Sequence, residues 1–179
     1  MSEFSESYHL RTERSEDAVE LLRRARLKGY VFPAIGGWVT FLAENGSFKP
    51  DQLIVANCPP APLLHYVSAE DHGWGFTLFD QGNTACKYSC AWDPGLTIDD
   101  AHYSRDELQR LVPLADSLLL EEFESEMRPT EYKDIVGSEA SKNFARALGL
   151  EHYEWIAYHY VDRDFRFGKN GRPNVIVVS

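Results

Sequence analysis

The chain has 179 residues, 44% of them apolar and 13% aromatic, and a formal net charge of -10. One domain with a real core is the expectation for such a length, the apolar content argues against disorder except at the ends, and no run approaches the roughly 20 apolar residues of a membrane helix. The charge is uneven: residues 29–161 carry eight basic against twenty acidic side chains, so this body repels phosphate backbones and suits a basic partner better than nucleic acid.

In chain order, residues 8–12 form a short candidate strand. Ser15, Glu16 and Asp17 then open a helix whose apolar positions Ala18, Leu21, Leu22 and Ala25 recur at helical spacing, with basic residues before Gly29. Residues 38–43 and 53–56 read as strands, and Cys58-Pro59-Pro60-Ala61-Pro62 as an extended loop, because prolines cannot sit in a central ladder. A further strand begins at Leu63. Period-two alternation around Trp74, Phe76 and Leu78, then Cys86, Tyr88, Cys90 and Trp92, encloses Asp80-Gln81-Gly82-Asn83 and predicts a hairpin.

Ser104-Arg105-Asp106-Glu107 is a capping box, with Leu108, Leu111 and Val112 as the buried stripe. Pro113 stops or kinks that helix, and Ala115, Leu118, Leu119 and Phe123 carry the helical phase onward. A third helix spans 138–148, ended by Gly149. Residues 153–161 are rich in aromatic and β-branched side chains and read as a strand, although Trp155, Ile156, His159 and Tyr160 would also share a helical face. Trp38-Val39-Thr40-Phe41 and Trp155-Ile156-Ala157-Tyr158 echo each other after helices that end in glycine, but one tetrapeptide pattern is too short to define a repeat. The expected architecture is a single α+β domain over 1–161, a mostly antiparallel sheet of about five to seven strands with helices packed on one face. Residues 162–179, with four basic against two acidic side chains, form a polar, mildly basic C-terminal segment expected to be flexible.

No nucleophile elbow, phosphate loop, H-E-x-x-H or C-x-x-C occurs, and no cofactor signature is present. Three cysteines in a chain with a polar, acidic start fit free thiols in the cytoplasm rather than a secreted disulfide framework. Cys86 and Cys90 on a strand lie roughly 13 Å apart, too far for one metal ion. His72 follows Glu70 and Asp71, and His102 follows Asp99 and Asp100. If those loops converged, Asp71, His72, Asp100 and His102 would make a mixed nitrogen and oxygen metal set for a small hydrolase. His65 and His159 read as structural.

The preferred expectation is different: a non-catalytic, cytoplasmic binding protein of the immunity or inhibitor kind. Its basic partner would meet aromatic anchors Trp38 and Trp74, each after a glycine, with Glu70, Asp71, Asp99 and Asp100 at the rim. Trp155 and at least one of the other three tryptophans are expected in the core. A small-molecule-binding module with an aromatic pocket between sheet and helices is the other alternative.

Overall fold

A computed structural model describes residues 4–168 and 174–179. Its framework is one antiparallel sheet of eight strands in the order β7-β6-β5-β4-β1-β3-β2-β8, so the class is α+β. The strands are β1 (Phe4–Arg11), β2 (Gly29–Val31), β3 (Trp38–Ala43), β4 (Leu63–Ala69), β5 (Gly73–Asp80), β6 (Asn83–Ala91), β7 (Thr97–Asp99) and β8 (Ile176–Val178). The sheet exceeds the expected five to seven strands because β2, β7 and β8 have three residues each, too few to show a period. Among the described residues no helix is long and apolar enough to cross a membrane.

Two helices cover one face, α1 (Ser15–Ala25) and α2 (Gln52–Ala56). Tyr8, Phe41 and His65 lie opposite one another in register and so share this face, where Leu10, Val39, Leu63 and Phe79 pack on Leu21, Leu22, Ile54 and Val55. The other face carries α3 (Arg105–Leu111), α4 (Ser117–Glu126), α5 (Tyr132–Ile135), α6 (Ala140–Ala147) and α7 (Tyr158–Arg166). Helices therefore lie on both faces, not one. The cause is written in the central strands, where both alternating sets are apolar: Trp38, Val39, Phe41 and Leu42 are all buried.

Face two is an aromatic core. Phe76 stacks on Phe144 of α6 with centroids 3.8 Å apart, and Phe123 of α4 meets Trp74, Tyr88 and Phe144 edge-on. Along β1 the same face is polar instead. His9 bonds Ser7 Oγ at 2.9 Å and Thr40 Oγ1 at 3.0 Å, fully buried. Burial, with repulsion from His152 and His65 added, pushes its pKa down to about 3. On face one, His65 Nε2 lies 3.1 Å from the buried Glu6 carboxylate, so both histidines are structural partners of β1.

Three local expectations are corrected. Residues 53–56 belong to helix α2, because Asp51 Oδ1 accepts from the Leu53 and Ile54 amides at 2.7 and 3.4 Å and caps a turn whose apolar run suggested a strand. Residues 153–161 are not a strand: the Ile156 amide donates to Ser5 Oγ at 3.2 Å and its carbonyl accepts from Glu6 N at 2.9 Å, after which α7 begins. The segment expected to lie outside the domain instead continues α7 to Arg166 and supplies β8, which pairs with β2. Residues 169–173 of that segment lie outside the described residues.

Other signals read correctly. Pro113 separates α3 from α4, and Gly149, at φ 72°, ends α6 in the left-handed turn that glycine allows. Ser104 Oγ accepts from the Glu107 amide at 3.3 Å, although the reciprocal bond is replaced, since Glu107 turns to Arg110 and the Ser104 amide donates to Cys86 Sγ. Helix α1 starts one residue early, with Arg14 at the cap position, because the Ser15 hydroxyl donates to Phe32 O instead.

Candidate functional site

The register of the sheet assembles a row of side chains across face two: Ser5 lies opposite Ser68, Ser68 opposite Trp74, and Trp74 opposite Cys90. Next to it runs Ser7, Tyr66, Phe76 and Tyr88. Helices α4 and α6 cover the middle of this face but leave the Trp74 end open. The result is a cleft of about 590 Å³, floored by the ends of β1, β4, β5 and β6 and walled by residues 126–142 and 153–155. That volume lies in the range of ligand sites, about 300–1,000 Å³.

The floor presents ring faces. Tyr66 Oη donates to Ser141 O at 3.1 Å and Tyr88 Oη to Met127 O at 2.6 Å, so the hydroxyls are committed to backbone carbonyls. Burial raises both phenols well above their ordinary pKa and pushes the Cys90 thiol up as well, leaving it a poor nucleophile. Trp92, Tyr132 and Trp155 extend the aromatic lining toward the mouth.

The charge of the lining is one-sided. Among the described residues, Glu70, Glu126, Asp134 and Glu154 contribute four carboxylates against the single ammonium of Lys142. Lys142 is itself shared, with Nζ 3.4 Å from Glu154 and 3.6 Å from Glu139. Asp134 is locked as an anion by the Thr130 amide and hydroxyl and the Glu131 amide, at 2.9, 3.0 and 3.1 Å, which hold its carboxyl below the usual range.

Of the residues singled out in the sequence, the cleft brings together Glu70 and Trp74 only. Trp74 is 8% exposed and forms floor, not an outward anchor. Trp38 is corrected outright: it is 2% exposed, its indole N–H donates to Leu148 O at 2.8 Å, and the Arg11 guanidinium covers its ring at 5.3 Å. The glycines before these tryptophans make room for the protein's own atoms. A Cβ at Gly37 would meet the Arg11 guanidinium at 2.6 Å, and one at Gly73 would meet Cys90 O at 2.5 Å. Asp71 is exposed beside Glu70 but does not line the cleft, while Asp99 and Asp100 pair with Lys87 and Arg128, each at 2.6 Å.

The metal set does not assemble. His72 Nδ1 binds Asp93 Oδ2 at 2.9 Å, and its carbonyl accepts from Trp92 N, whereas the His102 carbonyl accepts from Lys87 N, five residues and roughly 16 Å back along that strand. Asp100 is turned to Arg128. Among the described residues no group of three or more His, Cys, Asp or Glu side chains is placed to hold a metal ion.

Trp92, Trp155, Tyr132 and the carboxylates of the helical wall were missed in the sequence. They come from distant segments outside the strands, which only the packing of the helices and turns on face two brings together. Trp155, expected in the core, is 54% exposed at the rim. No protein-family model, curated protein or solved structure matches the chain, so the chemistry of the cleft rests on its own residues.

Proposed function

We propose that the protein is a non-catalytic binding protein that takes a basic segment of a protein partner into the cleft on face two. The observation that carries this is the combination of an aromatic floor with four carboxylates against one ammonium in one open cleft. Ring faces and carboxylates each attract a cation. The cleft's thiol is pushed toward the protonated form, which supports binding over nucleophilic chemistry.

Titration of the full chain with a hexa-lysine peptide and with a hexa-glutamate peptide tests it. The basic peptide should bind with an affinity that falls as salt rises, and Glu70→Gln together with Glu154→Gln should slow association and flatten that salt dependence. Binding of neither basic peptide nor hexa-arginine, or equal binding of hexa-glutamate, would reject the proposal. The cleft volume also supports a small-molecule module; a neutral aromatic ligand bound there without salt dependence would favour that alternative.

A further inference from the structure

Trp155 departs from every rule that places tryptophans. Among the described non-glycine residues that line the cleft, it is the one with a left-handed backbone, φ 50°, a conformation that L side chains adopt rarely and bulky ones least. Both neighbours are pinned. Tyr153 is buried, with its hydroxyl accepting from Arg146 Nε at 3.1 Å, and Ile156 is buried with its amide and carbonyl both bonded to β1. The turn between them forces the indole outward, where it stays largely in water instead of filling the core. Neither packing nor local propensity explains an exposed aromatic held in a strained backbone.

We infer that Trp155 is a clamp and that the cation it receives is an arginine guanidinium; this rests on the proposed binding of a basic segment at the same cleft. A guanidinium is planar, more weakly hydrated than an ammonium, and offers a fork of donors at its edge while its faces stack on rings. The cleft supplies what such a group uses: flat rings at Trp92, Trp155 and Tyr132, and carboxylates at Glu70 and Glu154. The Tyr66 and Tyr88 O–H donors on the floor are already given to carbonyls, so their oxygens face a guanidinium only as acceptors. The molecule makes the same pairing twice within itself, Arg11 over Trp38 at 5.3 Å and Arg163 over Tyr160 at 5.8 Å. Lysine would satisfy the charge but not the stacking.

The test compares hexa-arginine with hexa-lysine, peptides of equal charge, on the full chain and on Trp155→Gly. Hexa-arginine should bind about tenfold more tightly to the parent. Trp155→Gly should keep or raise the unfolding midpoint, because glycine takes φ 50° without strain, yet abolish most of that preference by speeding release of the arginine peptide. Unchanged arginine preference in Trp155→Gly would overturn the clamp. Equal affinity of the two peptides for the parent would overturn guanidinium selectivity while leaving the acidic cleft as a cation site, and failure of both peptides to bind would remove the cleft proposal with it.

Discussion

Trp38 and Trp74 stand at opposite ends of one sheet face, and their surroundings differ in kind. Trp38 lies opposite Arg11 at the end of β1, roofed by the turn that follows α6 and tied to it by the bond to Leu148 O. Trp74 lies in the row with Ser68 and Ser5 at the start of β1, where the helical layer stops short and a cleft remains. One end has its indole N–H, its ring face and its backbone all met by the protein. The other keeps ring faces and carboxylates turned to a cavity. A strand end that the protein closes for itself serves stability; one that it leaves open, lined by groups of one chemical bias, is available to a partner.

The largest effect expected from this contrast is at the closed end. Trp38→Ala removes a fully packed ring and leaves the Leu148 carbonyl without its donor, so it should cost about 3–5 kcal/mol in urea unfolding. Trp155→Gly at the open end should cost nothing by the same measurement. A Trp38→Ala protein as stable as its parent would erase the distinction between the ends.

The polar strip along β1 gives the next largest. His9 is neutral in the fold, with a pKa pushed down to about 3, whereas the unfolded chain takes up its proton near pH 6.5. The unfolded state therefore binds more protons between those values, so the contribution is fully present above about pH 6.5 and is lost as pH falls toward 3. The limiting slope for one proton is about 1.4 kcal/mol per pH unit. Between pH 6.5 and 4.5 the parent should lose about 2 kcal/mol more than His9→Gln, since the carboxylates titrate alike in both. Parallel pH profiles would show that His9 is not the titrating group.

A smaller effect tests how the open half is anchored. Ser104 Oγ caps α3 through the Glu107 amide, and its own amide donates to Cys86 on β6, so this residue ties a helix of face two to the strand that floors the cleft. Ser104→Ala should cost about 1 kcal/mol, seen as a lower urea midpoint at unchanged slope. This helix start was legible in the sequence because every signal for it is local: cap, acidic first turn and stripe fall within eight residues of one another. The hairpin of β5 and β6 was legible for the same reason.

What was not legible required knowledge of neighbours. Trp38-Val39-Thr40-Phe41 and Trp155-Ile156-Ala157-Tyr158 share a pattern, yet the first is a buried strand and the second an irregular turn. The difference is made elsewhere: β3 pairs with β1 only from Tyr8 to Arg11, so the free edge of β1 at Glu6 takes the Ile156 carbonyl instead. No property of residues 155–158 announces that vacancy. In α2 the missed signal was present, since Pro50-Asp51 is a helix start, but the apolar run after it outweighed the cap. The cleft itself draws on six separate stretches of chain, and of its residues only Glu70 and Trp74 were singled out as contacts, one for its acidic turn and one for its glycine neighbour.

The smallest expected effect sharpens the comparison among the acids. Asp100 and Glu70 looked alike in the sequence, both acidic turn residues next to a histidine loop, but Asp100 is paired with the exposed Arg128 outside the cleft lining and Glu70 lines it. Asp100→Asn removes one surface ion pair and should change stability by no more than about 0.5 kcal/mol. Its effect on a basic peptide is a matter of pairing. The Asp100 carboxylate is held in an ion pair with Arg128 at 2.6 Å, which cancels most of its field, whereas a carboxylate of the cleft lining acts at contact. Hexa-arginine should therefore associate with Asp100→Asn at the parental rate and with Glu70→Gln several times more slowly, in stopped-flow traces at the same ionic strength. Equal slowing by both would mean that the acidic body as a whole draws the peptide in. The Trp74 end would then hold no privileged place over the rest of the surface.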